Sequence, residues 1–148
     1  MNQSKISVRY AKALFLLAKE KEVLDEVYLN MKVLDNVIVD SAEFQSVLKN
    51  VTILQSEKKK LIGIVFKGFH PMTIDFLNLL IDNKRQDYLL TISKNFCVFY
   101  RKEKGIMLLK ATTATKISEK IKTNLKELFI KTYSKEIELE ELVDESII

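Results

Sequence analysis

Residues 101–113, Arg101-Lys102-Glu103-Lys104-Gly105-Ile106-Met107-Leu108-Leu109-Lys110-Ala111-Thr112-Thr113, change period in the middle. Up to Lys104 the pattern ends a helix: cations suit the negative end of a helix dipole, and Gly105 suits the left-handed residue just past it. From Ile106 onward a short apolar run leads into alanine and threonines, which reads as a strand. The fold is decided here, because everything upstream has helical spacing and the segment downstream does not.

Upstream, glycine and proline are scarce, so breaks must be read from caps and changes of period. Ser4 is the expected cap of a first helix running to about Glu20. A second segment carries Val23, Val27, Met31, Leu34 and Ile38 at three- and four-residue spacings. Asp40 to Glu43 has capping-box spacing and opens a short helix with Phe44, Val47 and Leu48. Thr52 or Ser56 starts a fourth, with Leu61, Ile64, Val65 and Phe66. Pro71 fits a first helical turn, so a fifth runs from there to about Asp82. A sixth carries Leu89, Ile92, Phe96 and Phe99.

Downstream, Ser118 caps a helix with Ile121, Leu125, Leu128 and Phe129 on one face. Glu136-Ile137-Glu138-Leu139-Glu140 then alternates as a half-buried strand does. The expected fold class is mainly α: an N-terminal six-helix bundle over 1–105, followed by a small, truncated α/β module (β-α-β) over 106–148. Two strands and one helix fall below the size at which a core usually holds itself together.

Composition excludes several functions. Apolar residues are 47% of the 148, charged residues 30%, and no apolar run reaches the ~20 residues a membrane-crossing helix needs. The N-terminal stretch carries Arg9 and Lys12 inside its apolar pattern and lacks a small-residue cleavage site, so it reads as structure and not as a signal peptide. The net charge of +4 invites a nucleic-acid reading, but residues 1–105 hold 17 basic and 12 acidic side chains against 7 and 8 in 106–148, and the only basic run is Lys58-Lys59-Lys60. Lysines scattered over helix surfaces are solvated faces, not a nucleic-acid footprint. The lone Cys97 permits no internal disulfide and sits between Phe96 and Val98 as a small buried residue; a reducing, cytoplasm-facing location follows as a prior. His70 has no catalytic partner in view and reads as a cap or surface residue. Glu136, Glu138, Glu140 and Glu141 are mostly solvent-facing on an alternating strand, so no metal site is expected. Gly63, Gly68 and Gly105 are isolated and form no phosphate loop.

Two helices are too apolar for one core. On the first, Ile6, Tyr10, Ala13, Leu14 and Leu17 form one stripe, while Val8, Ala11, Phe15 and Ala18 form another facing nearly the opposite way. A narrow polar sector remains around Lys5, Arg9, Lys12 and Lys19. On the fifth, Ile74, Phe76, Leu77, Leu79, Leu80 and Ile81 leave only Asp75, Asn78 and Asp82 polar. A helix packing on a single core needs an apolar arc of ~100° or somewhat more, and these arcs are roughly twice that. Either both helices are buried on two sides, or part of each arc lines an exposed groove for an apolar partner helix. The helical wheel alone does not choose.

Ser7-Val8-Arg9-Tyr10-Ala11-Lys12-Ala13-Leu14-Phe15-Leu16-Leu17-Ala18 resembles the opening helix of the delta subunits of bacterial F-type ATP synthases, relatives of the mitochondrial oligomycin-sensitivity-conferring protein. Phe44 to Asn50 is similar to that family's short third helix, and Phe76 to Arg85 to its fifth helix with the arginine after it. Ile92 to Phe99, the Lys104-Gly105-Ile106 junction, Ala111 to Ala114 and Val143-Asp144-Glu145-Ser146-Ile147-Ile148 follow in family order. Each piece is weak alone; seven in order are specific. Family members continue with a glycine pair, another strand and a final helix, whereas this sequence stops at Ile148, which is why the second module is expected to be truncated.

The resemblance implies a non-catalytic stator (peripheral stalk) subunit of the proton-translocating F-type ATP synthase, linking catalytic head to membrane sector. It implies binding to N-terminal helices of the alpha subunits, contact with the beta subunits, and binding to the b subunits of the stalk. One copy would serve each complex, monomeric when isolated, peripheral at the cytoplasmic face of the bacterial inner membrane, without membrane insertion or nucleic acid. No catalytic, cofactor-binding or metal residue is implied. The alpha-subunit helix would lie between the first and fifth helices, on Tyr10, Ala13, Leu14 and Leu17 and on Phe76, Leu79 and Asn83. The competing class is a stand-alone helical protein- or RNA-interaction module, which would bind without alpha subunits and, on nucleic acid, with strong salt dependence.

Overall fold

The computed structural model describes residues 4–133 and 135–146 of the chain. They form, in order, α1 Ser4–Glu20, α2 Leu24–Asp40, α3 Ala42–Lys49, α4 Gln55–Val65, α5 Pro71–Asp82, a 3-10 turn at Gln86–Tyr88, α6 Leu89–Lys104, β1 Ile106–Thr113, α7 Glu119–Tyr133 and β2 Glu136–Val143. The protein is mainly helical, with a small two-stranded parallel sheet. It divides into two compact units, Met1–Tyr100 and Arg101–Ile148. The division falls in the last turn of α6, just ahead of Gly105, which takes the left-handed conformation (φ 67°) and ends the helix as its position suggests.

The helical unit closes on one apolar core. Ser7, Ala11, Leu14, Phe15 and Ala18 of α1 are buried, as are Val27, Met31, Leu34 and Ile38 of α2. Phe15 meets Phe96 edge-on at 6.1 Å and Phe99 at 5.8 Å. Tyr28 and Tyr100 stack at 3.7 Å, and the Tyr100 hydroxyl donates to Asp25 Oδ1 at 2.7 Å, so a buried ring keeps its polar tip satisfied. Phe66 packs on Phe44 at 5.6 Å and on Phe69 at 4.5 Å, closing the core under α3 and α4.

Several local readings shift. The cap of α3 is Ser41, not Asp40: Asp40 is still the last residue of α2, while Ser41 has turned to extended backbone and its hydroxyl accepts from Phe44 N–H at 3.1 Å. Neither Thr52 nor Ser56 starts α4. Thr52 instead donates twice to Asn50 Oδ1, through its N–H at 2.9 Å and its hydroxyl at 2.7 Å, building the turn before the helix, and the helix then opens from Leu54 without a side-chain cap. The buried face of α4 is Lys58, Ile62 and Phe66, one helical row, so Ile64 and Val65 are exposed. α1 already begins at Ser4, whose proposed capping side chain lies outside the described residues, as do Ile147 and Ile148 of the terminal motif.

The second unit pairs β1 with β2 in parallel, from Ile106 opposite Glu136 to Thr113 opposite Val143. Ser118 caps the N-terminus of α7, its hydroxyl accepting from Ile121 N–H at 3.3 Å. Within this unit Arg101 pairs with Glu138 at 3.5 Å, and Glu141 accepts both from Lys122 Nζ at 2.9 Å and from Ile117 N–H at 2.7 Å. The Lys122 contact first, and then the Ile117 N–H, hold the Glu141 carboxyl below the usual glutamate range; Glu141 in turn raises Lys122. A lowered carboxyl stabilises the fold above the free carboxylate's pKa and loses that contribution as pH falls through the folded value. A raised amine contributes below the free lysine's pKa, and that part is lost as pH rises through its folded value. An NMR titration of the intact chain should place the Glu141 midpoint below the usual ~4.3 of a free glutamate, and Lys122→Met should move it back up. A Glu141 midpoint unchanged by that substitution would show that the pair does not hold strand and helix together.

Candidate partner-binding groove

α1 shows more than one apolar face. Flanking the buried row, about a third of a turn round the helix, lie Ile6 and Tyr10, half-buried, and Ala13 and Leu17, exposed; Leu17 retains 43% of its accessible surface. Val8 and Leu16 are also exposed, so the stripe of Val8, Ala11, Phe15 and Ala18 turns inward only through its last three members. α5 behaves alike: Thr73, Phe76, Leu77, Leu80 and Ile81 are buried while Leu79 keeps 47% of its surface.

Polar contacts fix both ends of α5. At its start the Asn30 side-chain oxygen accepts from His70 N–H at 3.0 Å and from the Thr73 hydroxyl at 2.9 Å, tying the helix to α2. His70 is the cap: its Nδ1 accepts from Met72 N–H at 3.0 Å, and Pro71 occupies the first turn. At its end Arg85 N–H reaches back to the Leu80 carbonyl at 2.7 Å and Lys84 N–H to the Ile81 carbonyl at 3.0 Å, around Lys84 in the left-handed conformation (φ 59°). This is a Schellman motif. α1 ends the same way, with Val23 N–H to the Ala18 carbonyl at 3.0 Å, Glu22 N–H to Lys19 at 3.2 Å and φ 60° at Glu22. The turn at Lys84 brings Arg85 back beside α1.

Between α1 and α5 the Tyr10 and Phe76 rings meet edge-on at 6.3 Å, and Asn83 Nδ2 donates to the Tyr10 hydroxyl oxygen at 3.1 Å. Beside this contact lies an open concavity of about 250 Å³ lined by Ile6, Arg9, Tyr10, Ala13 and Arg85. Of the residues expected in a groove, Tyr10 and Ala13 line the concavity, Phe76 and Asn83 touch Tyr10, and Leu17 and Leu79 stand exposed on the two helices. Leu14 differs: on the wheel it lies equally close to Ala11 and Ala18 and to Tyr10 and Leu17, and at 2% exposure it faces the core. Phe76 is buried as well and supports the groove wall through its edge on Tyr10. Ile6, Arg9 and Arg85 are the additions. Ile6 was visible as a member of the stripe; Arg9 read as solvated sector; and Arg85 reaches the groove only because a lysine adopts a conformation that sequence signals reserve for glycine. Among the described residues no cluster of histidine, cysteine or carboxylate side chains could hold a metal ion, and no helix is long and apolar enough to cross a membrane.

The family profile of the ATP synthase delta (OSCP) subunit matches residues 6–148. The chain is 32% identical over 143 residues to the ATP synthase subunit delta of Exiguobacterium sibiricum, covering 97% of this chain and 81% of that one. It is also 32% identical over 137 residues to that of Carboxydothermus hydrogenoformans, covering 93% and 77%. A chain in the structure of the Toxoplasma gondii mitochondrial ATP synthase hexamer is similar with a TM-score of 0.80 at 25% identity, covering 95% of this chain and 79% of that one. A chain of the Polytomella F-ATP synthase shares the fold at 20% identity, with a TM-score of 0.57 and coverage of 69% and 93%. These matches define the class as a peripheral-stalk subunit of the F-type ATP synthase. The chain belongs to the ATP synthase delta (OSCP) subunit family.

The Schellman turn that delivers Arg85 carries a strained residue. A left-handed backbone costs a non-glycine residue ~1–2 kcal/mol, and glycine gives back ~0.5–1 kcal/mol of that through its larger unfolded entropy. Lys84→Gly should therefore raise the unfolding free energy by ~0.5–1 kcal/mol in urea titrations. A loss of stability would show that the turn at Lys84 is not as described.

Proposed function

We propose that this chain is the stator clamp between the catalytic head and the peripheral stalk, and that the groove between α1 and α5 receives an N-terminal helix of an alpha subunit. In this reading the helices of residues 1–105 act as a six-helix bundle seated on the head, with the beta subunits as further contacts. Residues 106–148 act as a β-α-β module directed to the b subunits of the stalk. The protein has no catalytic residue of its own and works in one copy at the cytoplasmic face of the membrane.

The observation that carries this is the second, partly exposed apolar stripe of α1 together with the exposed Leu79 of α5, with the Tyr10–Phe76–Asn83 contact joining the two helices. Ala13, exposed and small, lets a guest backbone come close, and Tyr10 offers ring area with a hydroxyl at the rim. A bound amphipathic helix burying ~300 Å² of apolar surface on this side would contribute about 7–8 kcal/mol before association costs. Nanomolar binding requires ~12 kcal/mol. A clamp that resists the rotor's torque therefore needs more than this groove, and additional contacts with head and stalk are part of the proposal.

Leu79→Asp places a charge in the groove at a position that is already half-exposed, so the fold should tolerate it. Calorimetry is expected to show loss of binding of the alpha-subunit N-terminal peptide with helix content unchanged by circular dichroism. Undiminished affinity in a folded variant would remove the groove from the account.

A further inference from the structure

The groove is not only apolar. Two of the five side chains lining its concavity are arginines, Arg9 and Arg85, and no carboxylate lines it. Among the described residues neither guanidinium makes a side-chain hydrogen bond or ion pair, although Arg85 is half-buried. The neighbouring carboxylate of Asp82 is engaged by Lys59 on α4. A guanidinium carries five donors and stays charged, so the two arginines bring unused donors and positive charge to one concavity. The Tyr10 hydroxyl adds to the pattern. Its oxygen already accepts from Asn83 Nδ2, which leaves its proton to be donated. The polar side chains that line the concavity are therefore donors, with no carboxylate among them.

We infer that the groove's occupant is an amphipathic helix carrying a carboxylate at the border of its apolar face, and that this carboxylate sits between Arg9 and Arg85. The inference rests on the groove reading above and adds its polar half. The apolar stripe supplies area but little register, since a helix can slide along it by a turn. A carboxylate held by a planar, two-pronged donor fixes one register and one direction. Arg9 and Arg85 are thus specificity-determining residues, and the acidic residue is the feature a partner must have.

The test uses the full-length protein and two synthetic peptides of the alpha-subunit N-terminus from the same organism, one native and one with each acidic residue replaced by its amide. Arg85→Gln is expected to weaken the native peptide about tenfold, the factor expected for one charge-assisted contact in a partly desolvated site. Arg85→Gln should leave the affinity for the amide peptide unchanged, and the exposed Arg9→Gln should act in the same direction, more weakly. Native-peptide affinity should also fall with added salt in the wild type and hardly at all in the double variant. If Arg85→Gln weakens both peptides equally, or neither, while Leu79→Asp still abolishes binding, the carboxylate contact is overturned and the groove stands. If Leu79→Asp has no effect either, the groove reading falls with it.

Discussion

Helix α1 has more apolar circumference than one core can cover. Ser7, Ala11 and Ala18 are small and fully buried, so the helix backbone sinks close to its neighbours along that line. Leu14 and Phe15 complete the buried face, with Phe15 wedged against Phe96 and Phe99. What remains is a row that the unit's own core covers only in part, with Ile6 and Tyr10 half-buried and Ala13 and Leu17 exposed. At ~25 cal/mol per Å², such a row is a standing incentive to bind something apolar.

α5 is the other wall, and its position is fixed by polar contacts instead of by apolar fit alone. Asn30 holds its first turn, His70 caps it, and a Schellman turn at Lys84 closes it. Gln55 from α4 donates to the Ile81 carbonyl at 3.0 Å near the same end. These ties hold α5 beside α1, where Phe76 and Asn83 meet Tyr10 next to the concavity. Pre-formed grooves pay less ordering entropy on binding.

Much of this was legible in the sequence. The six helical stretches, the two strands, the start of α5 at Pro71 and the stop at Gly105 follow from spacing and from residues with unusual backbones. The over-apolar arcs of α1 and α5 were visible on the wheel, but whether they meant double burial or a groove was not, because only the packed structure says which face the neighbours use. The misreadings share a cause. Asp40 and Ser41 are both good caps, and the choice depended on where α2 ended. Ile64 and Val65 looked like core until Ile62 and Phe66 took the inward row. Leu14 lies equally near both stripes, and only the packing shows that it is buried. Arg85 stands in the sequence just after the fifth helix, but its place in the groove depends on a lysine in a left-handed turn that no glycine announces.

The central claim is that the uncovered face between α1 and α5 is where the head attaches. The most direct measurement is a chemical-shift map of the isotope-labelled chain titrated with an alpha-subunit N-terminal peptide. The account predicts that the largest perturbations gather on Ile6, Tyr10, Ala13 and Leu17 and on Leu79, Asn83 and Arg85, with residues of β1, α7 and β2 unmoved. Perturbations centred on those last elements, or spread along the exposed side of α2 at Leu29 and Val33, would contradict it.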